Sequence, residues 1–429
     1  MGNIGVNPNS LCITSYGSVT PMGNDLQEIY DNFINNLSGI TQIKKFNNDY
    51  FNTHDAGIPK EGNETICWPK KSRFRNGELF YANLASKDLA KKLRLSDYYS
   101  LKQIGCIVGV DVPSIDIEDC INFSHKAFKE KDRLSLINAA VEHFKANDLL
   151  DMETVSVMKA IHNNSPFSGL SFTHLGLCCA STQSIGLSMR LISKGIIDAA
   201  ICGGVSAKVT PFNLARLEAM DVISTDQNFL GIHRSRPFDR LRSGFVLAEG
   251  AIIFTIEKLS KVLSRGQQPL AYLLGYGGSL CAQHIVMPHQ EELEMKLSMK
   301  RAIENSGLNI DDIDCINTHG TSTIQNDYHE AQAIKEVFGD NNPDIVATKS
   351  YHGHLIAAAG AMEILGIIVS FKKDFLPKIL NCDEVDPTLP AGFSLVRDHK
   401  YNPLKYVLKN SFGMGGGAAS LILGNPNYL

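Results

Sequence analysis

The stretch LGLCCASTQSIGLSMRLISKG, Leu175 to Gly195, followed by IIDAAICGG, Ile196 to Gly204, decides the fold. An apolar run gives way to small residues at Cys178 and Cys179, a helical segment closes at Gly195, and a buried strand follows. The order is strand, tight turn, helix, strand, the repeating unit of a layered α/β protein. The helix carries Ala180, Ser181, Ser184, Gly186 and Ser188. Small residues on several faces let other elements approach from all sides, so this helix belongs at the centre of the molecule. The paired cysteines at its start admit three readings: packing, a metal or redox pair, or a nucleophile beside its neighbour.

The same rhythm runs outward in both directions. SLCITSYGSV (10–19) reads as a strand, NDLQEIYDNFINNL (24–37) as an amphipathic helix opened by Asn24 or Asp25, and IGCIVGVDV (104–112) as a buried strand. A second region begins at PLAYLLGYGGS (269–279). LEMKLSMKRAIENSGL (293–308) is a helix ending at Gly307, and DIDCINTHG (312–320) is a strand running into a turn. YHEAQAIKEVFGD (328–340) is the next helix, DIVATKS (344–350) the next strand, and HLIAAAGAMEILGIIVSF (354–371) a long apolar helix. KYVLKNSFGMGGGAASLILG (405–424) is two strands about a Gly-rich turn. No low-complexity linker and no sequence repeat separates the regions, so one body is expected.

Composition limits the function. With 429 residues, 44% hydrophobic and 20% charged, the chain has the make-up of an ordinary globular protein. A formal net charge of −4 without a Lys/Arg run offers no electrostatic footprint for nucleic acid or an anionic membrane. No apolar run reaches the roughly 18 residues of a membrane span. The N-terminal MGNIGVNPNSLCITSYG has neither the basic nor the apolar region of a secretory signal. A cytoplasmic location with reduced thiols is expected for the ten scattered cysteines. Adjacent cysteines do not easily share one tetrahedral ion, and no Cys-x-x-Cys partner accompanies them, so no metal is expected. Core cysteine or nucleophile remains.

Four strand-to-turn junctions carry reactive groups: Cys179, then THGTST with His319, then TKSYHGH with Lys349 and His354, then NSFGMGGG. Layered α/β folds gather their sites at such ends. The chain resembles, nearly end to end, the β-ketoacyl-ACP synthases of the condensing-enzyme (thiolase-fold) superfamily. The motifs are TSYGSVTPMGND, CCAST, RPFDRLRSGFVLAEGA, THGTSTIQNDYHEAQAIKEVFG, TKSYHGHLIAAAGAMEILG and NSFGMGGGAA, in family order.

The resemblance implies a five-layered αβαβα fold of two similar halves, 1–260 and 261–429, usually dimeric. It implies a nucleophile directly before an Ala-Ser or Ala-Thr pair, which assigns Cys179 and leaves Cys178 to the core. A position at the positive end of a buried helix favours a thiolate there. The backbone N–H groups of Cys179 and Met414 are the implied oxyanion donors. His319 and His354 are the implied neutral donors to an enolate. Lys349 would tune the histidines, Glu330 and Glu363 would balance its charge, and Thr321 and Thr323 would hold the pantetheine arm. Asp239 and Glu249 read as loop tethers rather than chemistry.

No cofactor of its own is expected, because the phosphopantetheine arm arrives on an acyl carrier protein. The implied partners are acyl- and malonyl-carrier protein and a second ketosynthase subunit, either identical or resembling a chain-length factor. Four departures from the family bear on substrate, one of them Ala248 in LAEG, which replaces the first glycine of Gly-Glu-Gly. Met414 stands where a Phe usually gates the acyl pocket, RSG (242–244) replaces Arg-Asp-Gly, and Cys178 replaces the usual Ala. They favour an active ketosynthase of a type II polyketide or polyene pathway over a fatty-acid-elongating synthase II. A non-catalytic partner subunit is the least favoured reading.

Overall fold

The computed structural model of the chain describes residues 6–62, 76–112, 121–125, 133–144 and 153–429. The first five residues, part of the stretch read for a secretory signal, lie outside them. The strands are β1 (Leu11–Val19), β2 (Ile40–Gln42), β3 (Asp55–Gly57), β4 (Ile104–Val110), β5 (Ser171–His174) and β6 (Ala199–Ser206), then β7 (Gly250–Lys258), β8 (Ala271–Leu280), β9 (Cys315–Asn317), β10 (Asp344–Val346), β11 (Tyr406–Gly413) and β12 (Gly417–Gly424). β2 and β3 form a hairpin-like pair of their own, and the other ten strands are ordered β10-β9-β11-β12-β8-β1-β7-β6-β4-β5.

That order reads alike from the middle outward. β1, β7, β6, β4 and β5 on one side match β8, β12, β11, β9 and β10 on the other. In each half the three outer strands run parallel and the inner pairs antiparallel. Among the described residues, strand pairing joins the halves where Leu11, Cys12 and Ile13 meet Leu273, Tyr272 and Ala271. Outer helices Gly77–Lys92 and Val155–Asn164 cover one half, Leu293–Ser306 and Ile324–Phe338 the other, and helices Ala180–Ser193 and Ala359–Lys373 lie between. This is the five-layered αβαβα arrangement.

The central helices owe their place to their side chains. Every residue from Ala359 to Phe371 is buried, which suits a helix apolar on all faces but for Ser370 and the ion-paired Glu363. A Cβ on Gly360 would stand 2.0 Å from Thr182 Oγ1, and one on Gly109 of β4 would stand 2.5 Å from the Ala180 carbonyl carbon. Glycine is therefore required at these two contacts.

Several boundaries differ from the sequence expectation. The first helix is Leu26–Ile34, capped by Asp25, whose Oδ1 accepts from the backbone N–H groups of Gln27 at 2.9 Å and Glu28 at 2.8 Å. β6 starts at Ala199 rather than Ile196, because Gly195 at φ 69 closes the preceding helix and a turn follows. The helix expected from Tyr328 begins at Ile324, capped by Thr323. The helix expected from His354 is split: Ile356, at φ 41, forces a separate turn before Ala359.

Candidate active site

The C-terminal ends of β5, β9, β10 and β11 bring four turns together. After β5, Leu177 adopts φ 48 and Leu177–Cys179 forms a single 3-10 turn into the central helix. This turn lifts one cysteine to the surface of a cavity and drives the next one inward. The cysteine that faces the cavity is Cys178, whose Sγ lies 3.0 Å from His354 Nε2.

Cys179, the residue expected to face the site, points the other way. Its side chain has no exposure, and its Sγ lies 3.1 Å from the Ser411 carbonyl oxygen and 3.2 Å from that of Gly417, between β11 and β12. Its backbone N–H is already donated to the Gly176 carbonyl at 3.0 Å, so it is not free to stabilise an oxyanion. The amides directed at the Cys178 sulfur are those of Cys178 itself and of Met414. The expected directions of the two adjacent cysteines are thus exchanged: a one-residue shift around a tight turn reverses the direction of the side chain.

The other expected groups converge here. The His319 and His354 rings stand 5.2 Å apart at 83°, and Phe245 packs edge-on to His354 at 5.1 Å between ring centroids. The site opens into a cavity of about 350 Å³, also lined by Thr321, Thr323, Ile356, Phe412 and Met414. Thr321 and Thr323 hydroxyls lie 3.0 Å apart. Met414 sits in the Gly-rich turn, where Gly415 and Gly416 take φ of 81 and 78.

Beneath the histidines lies a fully enclosed charge network. Lys349 Nζ is 3.1 Å from His319 Nδ1 and ion-paired with Glu363. An ammonium has only protons to offer, so Nδ1 accepts and the ring proton sits on Nε2, facing the cavity. Glu363 balances Lys349 as expected. Glu330 does not touch it: its carboxylate accepts the backbone N–H groups of His319 and Gly320, each at 2.8 Å, and so holds the turn. Burial pushes its carboxyl up to about 7. Asp239 and Glu249 tie loops, the former to Arg236 and the Glu384 amide, the latter to Lys45 and Tyr81.

Protonation states follow from depth. Burial first, and the Lys349 charge second, hold His319 and His354 well below the usual imidazole range, so both are neutral. Burial pushes the Cys178 thiol up to about 12, against the lowering effect of Lys349 and the two amides. The position at a helix start does not overcome burial at either residue: burial raises the Cys179 thiol as well, against the thiolate expected there, and the Cys178 sulfur rests as a thiol. Cys178, His319 and His354 place their donor atoms within 4.8 Å of one another. A metal-bound imidazole gives its second nitrogen's proton to a carboxylate or carbonyl. His319 faces an ammonium there, which suits a proton donor and opposes a dication.

Among the residues at the site that escaped the sequence reading are the cavity-lining Ile356 and Phe412, and also Phe245 and Lys409. Phe245 lies in a motif read only for its charged members. Lys409, buried beside Glu363, was signalled by a lone lysine inside the apolar strand YVLKNSF.

Family models for the N-terminal and C-terminal domains of beta-ketoacyl synthase match residues 140–261 and 270–383. The 3-oxoacyl-[acyl-carrier-protein] synthase 2 of Staphylococcus aureus is 29% identical over 416 residues, covering 96% of this chain and 99% of its own. Among solved structures, the ishigamide ketosynthase/chain length factor superposes with a TM-score of 0.82 at 25% identity, over 97% of this chain and 99% of that one. A type II polyketide ketosynthase, solved with its acyl-carrier protein and bound to a hexaketide, gives 0.83 at 23% identity over 97% and 100%. Fold and site together define a thiolase-like condensing enzyme. The chain belongs to the beta-ketoacyl synthase family, and its activity is that of a β-ketoacyl-ACP synthase. Among the described residues no helix is long and apolar enough to cross a membrane.

Proposed function

We propose that Cys178 is the acyl-carrying nucleophile and that the enzyme extends its chain by decarboxylative condensation with malonyl carrier protein. The observation that carries the reading is the 3.0 Å approach of Cys178 Sγ to His354 Nε2 at the floor of the cavity. As the sulfur attacks the acyl thioester, its proton passes through His354 Nε2 to the departing pantetheine sulfur. The tetrahedral oxyanion lies against the Cys178 and Met414 amides. The malonyl thioester then enters along Thr321 and Thr323. Loss of carbon dioxide leaves its electron pair in an enolate, whose oxygen accepts from His319 Nε2–H. His354 joins as a second donor in its other tautomer. Its Nδ1, buried, meets no hydrogen-bond partner among the described residues, so nothing fixes the ring proton to one nitrogen. The enolate carbon attacks the acyl carbonyl, the Cys178 sulfur leaves as a thiolate and regains a proton from water by way of His354 Nε2, and a β-ketoacyl carrier protein departs. The enzyme holds no cofactor of its own; the pantetheine arm comes with the carrier protein.

The pathway we favour is type II polyketide or polyene synthesis. Met414, more flexible than the phenylalanine usual in the family, lines the cavity beside Phe412, and two of the solved relatives are ketosynthases, one with its chain length factor and one bound to a hexaketide. Elongation of fatty acids is the second reading, favoured by the synthase 2 relative that matches along 96% of this chain. We propose a dimer, with an identical or chain-length-factor-like subunit, supported by β5 at the sheet edge and by exposed Ile137 and Val141 on the helix Arg133–His143. A reducing, cytoplasmic setting suits the eight described cysteines, all free thiols.

The test is acylation from acyl carrier protein, read by mass spectrometry. Cys179→Ala is expected to take up the acyl mass and Cys178→Ala to take up none. Acylation of the Cys178→Ala protein would overturn the assignment. Products from malonyl carrier protein and a series of acyl starters separate the two pathways.

A further inference from the structure

Lys409 is a charge without a role in the chemistry above. It stands on β11, five residues before Met414, with no exposure. Its ammonium is ion-paired with Glu363 Oε2, while Glu363 Oε1 is paired with Lys349. It also donates to Ser411 Oγ at 2.8 Å, and that hydroxyl lies 2.7 Å from Thr182 Oγ1 at the start of the central helix. One carboxylate therefore serves two ammoniums in a place without solvent. Among these three groups one positive charge is in excess, and its field reaches both histidines.

The charged and titratable groups around Lys409 come from every packed element. Glu363 comes from the central helix Ala359–Lys373, Lys349 from the short helix after β10, and Glu330 from the helix after β9. His319, His352, His354 and Cys179 lie in its field. Its own strand offers only Asn410 and Ser411. If Glu363 had Lys349 alone, the two would close into a neutral pair, and little of the Lys349 charge would be felt at His319. A second ammonium divides the carboxylate's charge between two cations, so the Lys349 pair is in contact without being neutralised. Burying an extra cation is costly, and its arrangement around a single shared acid is what gives it a use.

We propose that Lys409 is a positioning residue for the condensation: by occupying one oxygen of Glu363 it leaves Lys349 in positive excess against His319, and so adds to burial in disfavouring the imidazolium forms and keeps the His319 Nε2 proton aimed into the cavity. The inference rests on the reading of both histidines as neutral donors.

The experiment measures decarboxylation of malonyl carrier protein against pH in wild type, Lys409→Met, Lys409→Gln and His319→Ala, with melting curves to score folding. Losing the cation lets the imidazoles take protons more readily, so the acid limb of the profile is expected to move up by about one pH unit in both Lys409 variants. The alkaline plateau and the KM for malonyl carrier protein are expected to stay close to wild type. Lys409→Gln keeps a donor for Ser411 and serves where the methionine variant does not fold. An acid limb unmoved in a folded Lys409 variant overturns the proposal and leaves Lys409 as packing. Full decarboxylation by His319→Ala overturns instead the reading on which it rests, so the two failures are told apart.

Discussion

The protonation of Cys178 gives the sharpest test of the site. Many cysteine enzymes rest as a thiolate–imidazolium pair; here burial favours the neutral thiol against the pull of Lys349, and burial together with the lysine charges favours the neutral imidazole. With the thiol pushed up to about 12, the thiolate fraction at pH 7 is about 10⁻⁵, against about 3% for an ordinary exposed cysteine. That is a deficit of roughly 3,000-fold. A more basic thiolate is intrinsically the better nucleophile, which returns about 40-fold. Alkylation of Cys178 by iodoacetamide at pH 7 is therefore expected to be about 100-fold slower than that of an exposed thiol. The rate is expected to climb close to tenfold per pH unit through pH 9. The assay is peptide mass spectrometry in Cys179→Ala protein, so that one thiol only remains in the peptide. A rate that is already fast and flat between pH 6 and 8 would refute the reasoning, because it would mean that His354 carries the proton at rest.

Three further outcomes are expected. Glu330→Gln places an amide where two backbone N–H groups need acceptors, leaving one unsatisfied, and is expected to destabilise the fold by about 1–3 kcal/mol, read by chemical denaturation. Met414→Phe adds ring bulk beside Phe412 and is expected to change acyl-chain preference with an unchanged melting temperature; identical selectivity across a starter series would show Met414 to be packing alone. Cys178→Gln is expected to form no extended chain yet still to release acetyl carrier protein from malonyl carrier protein, and the added change His319→Ala to suppress that release, both followed by mass spectrometry of the carrier.

The layered fold was legible because its signals are local. The small-residue helix after Cys179, the glycine at 195 and the apolar strands at both ends of the chain each carry their own periodicity. His319, His354 and Lys349 were legible because each lies in a short motif beside a glycine or threonine that marks a turn. The cysteine pair was not, because direction at a turn depends on backbone torsion: Leu177 at φ 48 swings Cys178 out and Cys179 in, and no pattern of residue types encodes a positive φ at leucine. Glu330 was misjudged for a related reason. Its distance along the chain from Lys349 says nothing about the two backbone amides of the turn that it reaches first.

The contact between Gly360 and Thr182, with no room for a methyl group, bears on how such an enzyme changes what it makes. The site stands on two helices locked together like the plates of a vice, and Ser181 Oγ, accepting the Ala361 amide at 3.1 Å, adds a further bolt. A floor of this kind does not yield to a longer or bulkier guest. Tuning for a new chain must come from the upper walls, where Ile356, Phe412 and Met414 present single side chains to the cavity. Divergence in product within this architecture is thereby confined to a few positions that can be exchanged while the reacting groups keep their places.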